Sequence, residues 1–145
     1  MIKSSKYVKK IRSTNVYDVA NKSPITKAEG LSLQYGNNIL LKREDMQPVF
    51  SFKLRGAYNK LSKLNKKGKN KSVIAASAGN HAQGVAFASL KLGLKATIVM
   101  PVTTPSIKID SVKRFGAKII LSGDNFDEAF KFAKEMSKKK KATFI

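Results

Sequence analysis

An amine set among aromatic and aliphatic side chains is the first chemically suggestive feature of this sequence. Lys53 lies in Ser51-Phe52-Lys53-Leu54-Arg55-Gly56-Ala57-Tyr58, with Phe50, Phe52 and Leu54 around it. Ser51 is a plausible N-cap, which places Lys53 in the first turn of a helix. Apolar surroundings and the positive end of a helix dipole both disfavour an ammonium group. An unprotonated amine is what condensation with an aldehyde requires. The bland reading is as concrete. Of the 29 basic residues 25 are lysine, the others being Arg12, Arg43, Arg55 and Arg114, and most lysines in proteins are solvated surface. Gly56 hints weakly at a close approach to the backbone.

The second segment is Ala76-Ser77-Ala78-Gly79-Asn80-His81-Ala82-Gln83-Gly84. Small side chains at a strand-to-helix junction leave backbone N–H groups open to a carboxylate or phosphate. The segment is not a P-loop. Gly79 and Gly84 have the right separation, but Val85-Ala86 follows where Lys-Ser/Thr would stand, and no G-x-G-x-x-G is present. Asn80 has an amide able to hydrogen-bond an oxygen of a bound group. His81 is the one histidine, and at a helix start it reads more readily as a capping or packing group than as an acid–base catalyst.

These residues need elements to hold them. Ile39–Lys42 predicts a short strand and Arg43–Val49 a polar loop. A helix follows from Ser51 to about Leu64, with Leu54, Tyr58, Leu61 and Leu64 as its buried stripe. Lys66–Ser72 is a basic turn. The chain then alternates regularly. Val73–Ala76 predicts a strand, His81–Leu92 a helix ended by Gly93, and Ala96–Met100 a strand. Thr104-Pro105 opens a helix closed by Gly116, and Lys118–Leu121 is a strand. Asp124 with Asp127 resembles a capping pair for a helix to about Lys138, and Ala142–Ile145 starts a further strand. Such alternation implies right-handed crossovers and a parallel sheet of α/β class, with ligands at the carboxyl ends of the strands. A chain that stops inside a candidate strand, just after four lysines, reads as truncated.

Composition excludes several classes. The 145 residues suffice for one ordinary domain. Without cysteine there is neither a disulfide framework nor a thiolate metal site, and with one histidine no metal centre is expected. No apolar run approaches the roughly 20 residues that span a bilayer, so no membrane partner is expected. Met1–Ser13 is basic, but no apolar stretch follows it as in a secretory signal. A cytoplasmic protein is the simplest expectation, with an organellar transit segment behind it. The net charge of +20 raises nucleic-acid binding. The charge is nearly all lysine, dispersed and without interleaved aromatics, whereas base-reading sites favour arginine. No nucleic-acid partner is expected, and lysine accumulation in an AT-rich genome accounts for the excess.

Taken together, Lys42-Arg43-Glu44-Asp45, Gln47-Pro48-Val49-Phe50-Ser51-Phe52-Lys53-Leu54-Arg55-Gly56-Ala57-Tyr58 and Ala76–Gly84 resemble the fold-type II pyridoxal-phosphate (PLP) enzymes. The resemblance is closest to the threonine dehydratases (threonine ammonia-lyases) of the biosynthetic type. Val99-Met100-Pro101 and Gly123-Asp124-Asn125-Phe126-Asp127-Glu128-Ala129 fit the same pattern, which runs from about Tyr17 to the end. The resemblance implies a three-layer, parallel-sheet, Rossmann-like fold with PLP as cofactor. It implies that Lys53 carries the cofactor through its amine, and that Phe52 packs beside it. It also implies that Asn80 bonds the cofactor's 3′-oxygen, and that Ser77, Ala78, Gly79 and His81 receive the substrate carboxylate. The implied reaction converts L-threonine to 2-oxobutanoate and ammonia, leading into isoleucine synthesis. Lys53 releases the cofactor to the substrate and then acts as base at the α-carbon.

The resemblance further implies that residues 1–50 belong to a large PLP domain and 51–145 to a small α/β domain. The phosphate-gripping glycine loop, the hydroxyl residue facing the pyridine nitrogen and the regulatory domain are expected beyond Ile145. The fold is therefore expected to be incomplete, and the chain alone to bind PLP poorly. Homo-oligomers, commonly tetramers, are expected of the full-length family. Other enzymes of this fold type remain alternatives, notably catabolic dehydratases and serine racemases, as does an inactive truncated product. Sulfhydrylases and threonine synthases typically place Asp after the lysine, where Leu54 stands here.

Overall fold

The computed structural model describes residues 4–66 and 71–145. The amino-terminal third begins with α1 (Ser4–Arg12) and a 3-10 turn at Val16–Asp18, then β1 (Ile25–Lys27), α2 (Glu29–Tyr35) and β2 (Leu40–Lys42). A second 3-10 turn, Glu44–Met46, leads toward α3 (Lys53–Lys66). The predicted strand at 39–42 is present and has a partner the sequence did not suggest. It pairs antiparallel with β1, Thr26 opposite Leu41. Most of the basic turn expected over 66–72 lies outside the described residues.

The regular alternation follows as β3 (Ser72–Ala76), α4 (Asn80–Leu92), β4 (Lys95–Met100), α5 (Ser106–Lys113), β5 (Lys118–Leu121), α6 (Phe126–Lys139) and β6 (Thr143–Phe144). The four strands form a parallel sheet ordered β5-β4-β3-β6. The chain therefore steps outward from β3 to β5 and returns to the other side of β3. With right-handed crossovers, helices made on the way out cover one face and the helix made on the return covers the other. The core divides in that way. Val73, Ala75, Ile98 and Met100 pack with α3, α4 and Val112 of α5. Ile74, Ala76 and Val99 face the opposite way, onto Ala129, Ala133 and Met136 of α6. Alternate strand residues thus serve alternate faces, and the expected three-layer α/β architecture is present. No helix among the described residues is long and apolar enough to cross a membrane.

The predicted stripe of α3 is buried, with Leu54 and Leu61 sealed and Tyr58 nearly so, while Leu64 is partly covered. Two capping expectations need correction. Ser51 does not cap α3. Phe50 N–H bonds to Gln47 O at 2.8 Å and Arg55 N–H to Phe52 O at 3.0 Å. This double turn buries Ser51, whose hydroxyl has no partner among the described residues. The cap of α6 is shifted by one residue from the predicted Asp124/Asp127 pair. Asn125 accepts from Glu128 N–H at 3.1 Å, and Glu128 Oε2 accepts from Asp124 N–H at 2.9 Å. That is a variant of the capping box in which Glu128, with one more methylene than Asp, reaches back to the N–H of the residue before the N-cap.

Candidate active site

Lys53 is the first residue of α3, as its sequence setting predicts. Phe52 lies beside it, with its ring centre 5.3 Å from Lys53 Nζ. Both side chains are exposed. The apolar enclosure expected from Phe50, Phe52 and Leu54 is therefore absent. Phe50 and Phe52 point outward and Leu54 turns into the core, so these residues do not desolvate the amine. The expected position of Lys53 at a helix start is present.

Lys53 opens onto a cleft of about 430 Å³, within the range of small-molecule sites. Its lining includes Phe52, Lys53, Gly56, Lys60, His81 and Phe144. Lys53, Gly56 and Lys60 are three and four residues apart, the spacing that aligns side chains on one helical face. That spacing is a signal the sequence carries and that its chemistry alone did not single out. The cleft also lies at the carboxyl end of β6, the strand at which the strand order turns back past β3, the usual ligand position in open α/β sheets. Of the predicted site residues, the cleft brings Lys53, Phe52 and His81 together. Ser77, Ala78, Gly79 and Asn80 form the junction leading into α4 but do not line this cleft.

That junction has two properties suited to an anion. Gly79 occupies the N-cap of α4 and no side chain caps the helix. Ser77 Oγ instead accepts from Gly79 N–H at 3.2 Å, which holds the loop's shape. The opening N–H groups of α4 are thus left to an external acceptor. Gly56 does not meet the close backbone approach expected of it, since a Cβ there would meet nothing within 4 Å. The glycine that packs closely against Lys53 is Gly84, where the same Cβ would meet Lys53 backbone atoms at 3.1 Å.

The loop before Lys53 is held from two sides. Arg55 Nε and Nη2 donate to the two carboxylate oxygens of Glu44 at 2.8 and 2.9 Å, and Ser23 Oγ donates to Glu44 Oε1 at 2.6 Å. Gln47 is fully buried and exchanges bonds with Asn21, accepting from its N–H and donating to its carbonyl, both at 2.9 Å. The Arg55 guanidinium holds the Glu44 carboxyl down at about 2. On the other side Phe50 adopts a left-handed backbone, φ 54°, under Arg114, whose guanidinium sits 5.5 Å from the Phe50 ring centre and 4.6 Å from that of Phe115. A strained residue held this way points to a loop whose shape is used.

A primary amine at a cleft wall, an adjacent aromatic ring and an uncapped helix start fit a planar aldehyde that carries negative charge. The sequence pattern of the pyridoxal-phosphate dependent enzymes matches residues 16–145.

The chain belongs to the pyridoxal-phosphate dependent enzyme family.

Within that family it is 56% identical over 139 residues to threonine dehydratase 1 biosynthetic, chloroplastic, of Solanum lycopersicum, covering 96% of this chain and 23% of the relative. It is 58% identical over 123 residues to the mitochondrial threonine dehydratase of Saccharomyces cerevisiae, covering 85% of this chain and 21% of the relative. The solved structure of the processed form of threonine deaminase isoform 2 from Solanum lycopersicum superposes with a TM-score of 0.90 at 52% identity. The match covers 97% of this chain and 39% of that one. The chain thus spans less than a quarter of the length of these two curated relatives, and its fold is that of the matched part of the deaminase.

Proposed function

We propose that this protein dehydrates and deaminates L-threonine to 2-oxobutanoate and ammonia with PLP as cofactor, and that residues 1–145 supply the lysine-bearing part of its active site. The proposal rests on one juxtaposition above all: Lys53, Phe52 and His81 share a cleft at the carboxyl end of β6, where the strand order turns back. The biosynthetic names of the relatives supply the substrate class.

PLP, when bound, supplies an electron sink for charge left at the substrate α-carbon. Lys53 holds the cofactor through its amine and, once released, takes the proton from that α-carbon before the β-hydroxyl leaves. Phe52 would pack beside the cofactor, and Asn80 would donate from its side-chain amide to the cofactor's 3′-oxygen. Ser77, Ala78, Gly79 and His81 hold the substrate carboxylate at the start of α4, where backbone N–H groups and the helix dipole favour an anion. The proposal places residues 1–50 with a larger PLP domain and 51–145 in a small α/β domain. It also includes a homotetramer, a role in isoleucine synthesis and a cytoplasmic location. Fractionation tests the last of these, since the tomato and yeast relatives carry chloroplastic and mitochondrial names.

The complete gene product, assayed for 2-oxobutanoate with L-threonine, L-serine and D-serine in parallel, tests the reaction. L-threonine is expected to be the best substrate, and Lys53→Ala to lower kcat/KM by about 10³-fold or more. Interconversion of the serine enantiomers without threonine turnover would transfer the proposal to a racemase.

A further inference from the structure

Gly84 lies in the second turn of α4 and is buried. A Cβ at this position would come within 3.1 Å of both the carbonyl carbon and oxygen of Lys53, and within 3.2 Å of Leu54 N. These are backbone atoms in the opening turn of a helix. They cannot swing aside as the end of a flexible side chain would, so a methyl group here requires the starts of α3 and α4 to separate by a few tenths of an ångström. The backbone conformation does not require the glycine, because Gly84 is absent from the positive-φ positions. Glycine is also a poor residue for a helix interior, so its presence here answers to the contact. The neighbouring α4 residues Ala82, Val85 and Ala86 carry side chains and are buried in the ordinary way.

The contact joins the two halves of the site. Asn80 and His81 precede Gly84 by four and three residues, which puts them over the same face one turn nearer the Ser77–Gly79 loop. Gly84 therefore sets how close the turn bearing Lys53 sits to the turn bearing Asn80 and His81. We propose that Gly84 is a positioning residue for Lys53: its missing side chain fixes the spacing of the α3 and α4 starts so that the Lys53 amine meets an aldehyde held at the α4 junction. This rests on the reading of Lys53 as the residue that carries PLP.

The complete gene product is freed of cofactor and compared with Gly84→Ala and Val85→Ala. Three quantities are followed: thermal midpoint, PLP affinity from the visible absorbance band, and the share of borohydride-fixed label mapped to Lys53. Val85 is sealed in the core next to Gly84 and serves as the control for destabilisation alone. Gly84→Ala is expected to weaken PLP binding about tenfold or more and to reduce the Lys53 share. Its thermal midpoint is expected to fall no further than that of Val85→Ala, which keeps both binding and labelling. Unchanged affinity and labelling in Gly84→Ala would overturn the inference. So would losses in both variants that follow the fall in midpoint. A Gly84→Ala chain that does not fold would also overturn it, by making the glycine a requirement of folding rather than of placement. A wild-type protein with no label on Lys53 would instead overturn the function proposed above, and this inference with it.

Discussion

Glu44 and Arg55 tie the helix that begins at Lys53 to the amino-terminal third of the chain, and their bond is mostly shielded, with the side chains 17% and 24% exposed. Glu44→Gln leaves the Arg55 cation without its partner, and a loss on the order of 2 kcal/mol in unfolding free energy is expected from denaturant titration. The pH dependence has a definite sign. A carboxyl depressed from 4.5 to about 2 contributes stability that is complete above about pH 4.5 and is lost as pH falls through 2. Wild type should therefore lose stability between pH 4.5 and 2 more steeply than Glu44→Gln, and parallel curves would contradict this assignment. The Arg43–Asp45 pair is exposed, with the side chains 38% and 58% accessible, and its removal should change little. At this scale the sequence was partly legible. The helix carrying Lys53 could be read from the stripe Leu54, Tyr58, Leu61 and Leu64, although Ser51 does not supply its cap. The Glu44 to Arg55 bond could not, because an 11-residue separation across a loop follows no helical or strand period. The surroundings of Lys53 differ from the sequence expectation for a related reason. Apolar neighbours in sequence do not enclose a residue when the turn points Phe50 and Phe52 outward.

Elements with strong periodicity and clear end signals were the ones the sequence specified. α3 has its stripe, α4 and β4 have continuous small or branched apolar runs, and Gly93 closes α4 in the left-handed conformation at φ 64°. β1 and α2 carry weaker signals. β1 is three residues long, with no buried position. α2 contains Gly30, and its one buried residue is Ser32, whose hydroxyl accepts from Ile39 N–H at 3.0 Å. Neither has an apolar stripe to read. The α6 cap gives a prediction at this scale. Asn125→Ala removes the acceptor for Glu128 N–H and should cost about 1 kcal/mol, measured by thermal or denaturant unfolding. Gly123→Ala should cost more, because Gly123 has φ 76° and a Cβ there would lie 2.4 Å from Glu128 Cβ. Equal effects of the two substitutions would argue against the capping box as the organiser of this turn.

Across the whole molecule, 29 basic residues face 9 acidic ones. Self-repulsion of such a charge opposes the compact state, and salt screens it over a Debye length of about 10 Å at 0.1 M. The thermal midpoint should rise as NaCl increases from about 10 to 300 mM, and a flat response would show that the lysines are spaced too widely to repel. The turn-back in strand order that seats β6 beside β3 is the whole-molecule feature that turns local chemistry into a site, because it gathers the start of α3, His81 of α4 and the β6 end around one cleft. Alternating strands and helices made the parallel α/β fold readable. The strand order that brings Phe144 beside Lys53 and His81 required the structure, since no local pattern says which side of β3 the last strand joins. The central claim is that this cleft presents Lys53 to PLP. Treating the complete gene product with PLP and borohydride, then mapping the label by peptide mass spectrometry, tests it most directly. The prediction is one fixed cofactor per chain, on Lys53, lost in Lys53→Ala. Label dispersed over the other lysines, or retained in Lys53→Ala, would contradict it.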